Sequence, residues 1–154
     1  MSDAVPDFRK PSGPEAIFNR LFGVLVGWGL APRYNYVVQV RGRTSGRVYS
    51  APINVVDVGG RRFLVAPRGR TQWVRNAEAA GDVVLKRGAS HHFRIRPVSG
   101  DEKLEILKTY LDRYRIAVQR YFPVRAGAAP GAFRDVADRY PVFELLPADE
   151  ARRR

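Results

Sequence analysis

Cysteine is absent from these 154 residues, methionine occurs once and histidine twice. Without thiols there is no disulfide scaffold, no thiolate metal site and no cysteine nucleophile. The two histidines, His91 and His92, are adjacent. On a strand, neighbours point to opposite faces, so the pair does not hold a metal together. Acids are scarce as well: 15 Asp and Glu stand against 27 Lys and Arg, a formal net charge of +12. None of them pair at a spacing that suggests glycosidase or metal chemistry. The chain also lacks a G-x-S-x-G, a Walker A loop and a G-x-G-x-x-G. No apolar run reaches the roughly 18–20 residues that span a bilayer, and no signal-peptide pattern opens the chain. The expectation is a cytoplasmic protein that is no self-sufficient hydrolase, so that any reaction it runs takes its chemistry from a cofactor.

What is present is a 45% apolar fraction, enough for one globular core, and a strongly basic surface. The charge calls for an anionic partner. Nucleic acid, an acidic membrane surface and a phosphorylated or polycarboxylate ligand all satisfy the composition. The distribution is more informative. Between Arg41 and Arg75 stand eight arginines, no lysine and a single acid, Asp57. Arginine suits bidentate contact with phosphate or carboxylate, whereas a merely solubilising surface is served as well by lysine.

Residues 1–13 read as a loose arm, 14–147 as one domain and 148–154 as a basic tail. From Pro14 the apolar residues Ile17, Leu21, Val24 and Trp28 recur at helical spacing. That helix, apolar round most of its circumference, either caps a barrel or touches a membrane surface through residues 14–30. Strands are expected over Tyr36–Arg41, Arg47–Val58 and Arg61–Ala66, the last two joined at Gly59-Gly60. Pro52 implies an edge or a bulge in the second strand. A short helix over Thr71–Ala80 has Thr71 as its N-cap and Gly81 at its end. Asp82–Arg87 and His91–Val98 read as a hairpin. A long amphipathic helix follows, opened by a Ser99/Glu102 capping box and stopped by Pro123, with Leu104, Leu107, Leu111, Tyr114, Val118 and Tyr121 on one face. Val142–Leu146 is the final strand. About six strands with few, peripheral helices predict a mainly β, α+β fold built on a small antiparallel barrel.

Two loops can carry chemistry. Gly42-Arg43-Thr44-Ser45-Gly46, followed by Arg47, combines a tight turn, two hydroxyls and nearby arginines, including Arg41. That suits a phosphate, and equally an ordinary polar hairpin. The second, Pro67-Arg68-Gly69-Arg70, runs into the start of the short helix at Thr71, where helix termini attract anions. Trp73 and Asn76 lie one turn apart on that helix; Trp73 also fits as a core anchor.

The order Val-Arg-Gly-Arg-Thr-Ser-Gly, three residues, Ser-Ala-Pro, then a hairpin, then Gly-Arg-Thr-x-Trp-Val-Arg-Asn and Ala-Gly-Asp resembles the deazaflavin-dependent nitroreductase family. The carrying signature is Gly42, Arg43, Ser45, Gly46 and, six residues on, Pro52. The resemblance implies a flavin-binding split β-barrel that uses reduced coenzyme F420, whose phosphate and oligoglutamate tail are anionic. It further implies that Arg43, Thr44, Ser45 and Gly46 hold the phosphate end, with Arg41 and Arg47 also binding the cofactor. Ala66, Pro67, Arg68, Gly69, Arg70 and Thr71 would lie against the ring, fixed by Trp73 and Asn76. Tyr114 and Tyr121 would face the substrate. Hydride would pass to an electron-poor small molecule: a quinone, nitro compound or activated alkene. Two positions depart from the family pattern: Thr44 stands where a lysine is usual, and Tyr49 where an arginine is. Each missing charge costs on the order of 1–3 kcal/mol unless compensated. Flavin mononucleotide (FMN) is the alternative cofactor, and a homodimer is expected on the pattern of related barrels. The reading from another class is a basic binding module for nucleic acid or another anionic ligand.

Overall fold

The computed structural model describes residues 35–148. The arm over 1–13, the helix with its membrane contact through 14–30, and residues 149–154 of the tail lie outside the described residues. Among the described residues no helix is long and apolar enough to cross a membrane.

The chain runs β1 (Tyr36–Arg41), β2 (Val48–Ile53), β3 (Val55–Val58), β4 (Arg61–Val65), α1 (Gln72–Ala80), β5 (Asp82–Arg87), β6 (Ala89–Pro97), α2 (Gly100–Val118) and β7 (Val142–Pro147). The strands form one antiparallel sheet in the order β2-β1-β5-β6-β7-β4-β3. Its two end strands, β2 and β3, are consecutive in the chain, with only Asn54 between them. One residue reaches about 3.5 Å, so the sheet has to curl until its ends adjoin. This is the expected split barrel. The β-branched run over 47–58 is therefore not one strand: at Asn54 it passes from one end of the sheet to the other, and among the described residues the strands number seven rather than about six. Pro52 falls on β2, an end strand of the sheet, where a missing N–H is tolerated.

Alternation along the strands separates two cores. Leu64 points into the barrel with Val38, Val40, Val83, Leu85 and Phe143, and Val74 and Ala77 of α1 close that interior. Phe63 and Val65 point the other way, with Val56, onto Leu104, Leu107 and Leu111 of α2. Gly59 and Gly60, at φ 59° and 80°, supply the two left-handed residues that a tight hairpin between β3 and β4 requires. α1 ends where expected: the Gly81 N–H donates to the Ala77 carbonyl.

Thr71 and Ser99 occupy the N-cap positions as expected, but the capping box between Ser99 and Glu102 is corrected. Neither Thr71 nor Ser99 makes a side-chain cap bond. Glu102 turns instead to Arg61 of β4, at 2.7 Å. Beside that pair sits the buried Glu144 of β7. It accepts two 2.8 Å hydrogen bonds from Arg61 and further bonds from Arg96 of β6. The Arg61 hydrogen bonds hold the Glu144 carboxyl down at about 2, against the opposing effect of burial. β6 begins at Ala89, and both histidines are exposed, His92 beside Asp82 at 2.8 Å. α2 breaks its helical geometry at Tyr114, with φ −112° and ψ 26°, and runs on through a 3₁₀ turn over Gln119–Tyr121 before Pro123.

Candidate functional site

A cleft of about 430 Å³ opens between β2, the segment from β4 to the start of α1, and residues of α2 on both sides of its kink with the 3₁₀ turn that follows. That volume is in the range of small-ligand sites. Tyr49, Ser50, Ala51, Pro52, Ile53 and Asn54 form one wall. Val65–Gly69 and Thr71–Trp73 form the second, and Tyr110, Ala117, Val118 and Tyr121 the third. The surface is mostly apolar, as a planar ring requires. Three buried side-chain atoms among the described residues have no hydrogen-bond partner: Ser50 Oγ, Asn54 Nδ2 and Thr71 Oγ1. All three residues line this one cleft. Buried polar groups are almost always paired, so three orphans in one place mark where a ligand would supply partners.

The electrostatics point the same way. α1 presents its N-terminus here with no side-chain cap and no acid in its first turn, so its partial positive charge is uncompensated. Arg68 lines the cleft and has no acidic partner among the described residues. Arg70, by contrast, pairs with Glu78 and points away.

The sequence-predicted residues divide. Pro52, Ala66, Pro67, Arg68, Gly69, Thr71, Trp73 and Tyr121 line the cleft. Trp73 also meets Phe143 edge to face, centroids 6.5 Å apart, so it is wall and core anchor at once. Arg43, Thr44, Ser45, Gly46 and Arg47 form an exposed turn beside α1, outside the cleft lining, as is Arg41 at the end of β1. Much of this turn is closed on itself: Gly42 N donates to Arg47 O, Gly46 N to Gly42 O and Arg47 N to Ser45 Oγ. Asn76, buried in α1, ties the turn down. Its Oδ1 accepts from Arg43 N at 3.1 Å and Arg43 Nη1 at 2.8 Å, while Nη1 also reaches Gln72 at 3.0 Å. A Cβ at Gly42 would lie 2.7 Å from the ring of Tyr49 and 2.8 Å from Ser45 Oγ, so any larger residue there would press on this cleft wall.

Tyr114 does not face the cleft. Its hydroxyl donates to Val55 O of β3 at 2.6 Å, and burial pushes the phenol up from its ordinary value. The kink that turns it aside leaves Tyr110, Ala117, Val118 and Tyr121 as the cleft wall. Sequence reasoning missed Tyr110, Tyr49, Gln72, Ser50 and Asn54. Tyr110 lies one turn before Tyr114, and Ser50 within the quoted motif, so both had a signal; Asn54 had none. Among the described residues no cluster of His, Asp and Glu is arranged to hold a metal.

Residues 16–125 match the family model of the F420H(2)-dependent quinone reductases. No curated protein matches. Among solved structures, the protein Atu2129 of Agrobacterium tumefaciens, of unknown function, aligns at TM-score 0.52 with 18% identity. The alignment covers 71% of this chain but 46% of Atu2129, so this chain spans about half of that protein. An F420-H2 dependent reductase, FDR-A, aligns at TM-score 0.48 and 19% identity, covering 71% of this chain and 91% of its own. A domain-swapped dimer aligns at TM-score 0.50 and 16% identity, covering 86% of this chain and 99% of its own. At these identities the structural likeness is one of fold. The family match, by contrast, takes in β1 through α2 and every wall of the cleft: this chain belongs to the F420H(2)-dependent quinone reductase family, oxidoreductases whose cofactor is coenzyme F420.

Proposed function

We propose that the cleft brings the ring of reduced F420 against an electron-poor small molecule, a quinone, nitro compound or activated alkene, and that the protein catalyses hydride transfer between them. The observation that carries this reading is the coincidence of three unpaired buried polar atoms, Ser50 Oγ, Asn54 Nδ2 and Thr71 Oγ1, in one apolar cleft. They fit a flat ligand with polar ring edges. When bound, the reduced cofactor supplies the hydride.

The chain's own residues supply position and dryness. Ala66, Pro67, Gly69 and Pro52 give the cleft apolar lining for a ring, which would exclude water and fix the approach of the two reactants. Arg68 and the uncapped N-terminus of α1 would hold the phosphate end. Arg43, Thr44, Ser45, Gly46 and Arg47, with Arg41, form a basic margin beyond it; Arg43 reaches the cleft lining through Gln72. That margin answers for the missing family lysine at Thr44. Tyr121 is the proton donor we assign on the acceptor side. Tyr114, engaged with Val55 O, shapes the wall instead. A homodimer is the assembly we propose, supported by the domain-swapped dimer of like fold.

Titration with F420, FMN and a mixed oligonucleotide at about 0.15 M salt, near physiological ionic strength, tests the reading. Saturable binding of F420, followed by oxidation of reduced F420 on adding a quinone, is the expected result. Salt-sensitive oligonucleotide binding with neither flavin bound overturns it and returns the chain to the anionic-ligand reading.

A further inference from the structure

Asn54 stands out among the three orphans because its orientation is dictated. It is 2% exposed and sits where β2 gives way to β3. Its Oδ1 accepts the backbone N–H of Asn35 at 3.0 Å. A backbone N–H only donates, so the amide oxygen must face Asn35, and the amide nitrogen must face elsewhere. Asn35 is itself clamped. Its Oδ1 accepts Val55 N–H at 2.9 Å, and its Nδ2 contacts Tyr114 Oη at 3.4 Å, whose own proton goes to Val55 O. The junction of the two end strands is thus fixed from β3 and α2, and Asn54, a residue of the cleft lining, keeps a buried Nδ2 with two protons and no acceptor.

The surroundings decide which acceptor suits it. Ile53, Val65, Ala66 and Tyr110 share this lining with Asn54. An anion there would be desolvated, whereas a neutral carbonyl oxygen satisfies one donor without stranding a charge. We propose that Asn54 is a specificity-determining residue of the cleft, its Nδ2 donating to a ring carbonyl of the bound reactant. The carbonyl belongs either to the cofactor's ring or to a quinone acceptor. The inference rests on the F420 reading and names the group at its site that reads ring carbonyls.

Two variants and one observation on the wild-type protein test it. Asn54→Asp keeps the oxygen that accepts from Asn35 and replaces the donor by an acceptor; Asn54→Leu removes both. Thermal unfolding of each variant is recorded without ligand. The dissociation constant for oxidised F420 is then measured by fluorescence at pH 8, and KM for a benzoquinone at saturating reduced F420. A rise of tenfold or more in the F420 dissociation constant for Asn54→Asp, with its melting temperature near that of the wild type, assigns the carbonyl to the cofactor. An unchanged F420 constant with a tenfold rise in KM assigns it to the acceptor. If neither changes, the proposal is overturned. If the wild-type protein itself fails to take up F420, the cofactor reading fails and the proposal with it. Independently of either variant's folding, the Asn54 side-chain amide protons of the wild-type protein shift in the nuclear magnetic resonance spectrum when F420 or a benzoquinone analogue is added. Amide signals that stay fixed with both ligands bound overturn the proposal.

Discussion

Two polar clusters in this barrel make opposite use of burial. At the β4–β6–β7 face, Glu144 accepts from Arg61 and Arg96, and Glu102 joins from α2, so the buried carboxylate is compensated several times over. In the cleft, Ser50, Asn54 and Thr71 each hold a buried polar atom with nothing to bond. The first cluster is finished by folding alone. The second is left unfinished by folding, and in our proposal the bound reactants complete it. Both are buried, so burial does not tell a structural polar group from a functional one; the count of unmet hydrogen bonds does.

The comparison breaks most sharply at Glu144. Replacing it by alanine strips Arg61 and Arg96 of their shared partner and should cost about 2–3 kcal/mol, since half-exposed arginines recover water. The melting temperature is expected to fall by about 5–10 °C in calorimetry, with the F420 dissociation constant unchanged. An altered constant would mean that the two clusters are coupled.

Acid reads the same cluster without a mutation. Folding lowers the Glu144 carboxyl from 4.5 to about 2, so the stability it contributes is complete above about pH 4.5 and disappears as the pH falls towards 2. Denaturant midpoints of wild type and Glu144→Ala should therefore converge across that window. Parallel curves would assign the acid sensitivity to other carboxylates.

The smallest effect on stability is expected in the cleft. Thr71→Val keeps the shape and removes a hydroxyl that bonds nothing in the ligand-free protein. Its melting temperature should stay within about 2 °C of the wild type, while F420 affinity drops about three- to tenfold, the worth of one neutral hydrogen bond. A large loss of stability with unchanged affinity would move Thr71 into the structural class.

Much of the scaffold was legible because its signals are local. Gly59-Gly60 can only be a left-handed turn, Thr71 and Gly81 bracket α1, and the arginine-rich Gly42–Gly46 turn with Pro52 carries the family signature. The capping box at Ser99 failed although its spacing was right. Glu102 found a guanidinium across the fold, and a charged partner outbids a local amide. Tyr114 failed for a related reason. On a regular helix it shares a face with Tyr121, but the break at Tyr114 sends its hydroxyl to β3 and leaves Tyr110 on the cleft.

The sequence by itself determined most of the strands, the short helix and the basic margin, since these follow from periodicity and turn chemistry, and its family resemblance pointed to the cofactor. Only the tertiary structure decided where the run from 47 to 58 divides, which tyrosines face the cleft, and that Ser50, Asn54 and Thr71 converge there without partners. Asn54 looks like any polar residue in a strand until the curl of the sheet joins its ends around it. A hydrogen bond left unmade is a property of everything surrounding an atom, and no stretch of neighbouring residues encodes it.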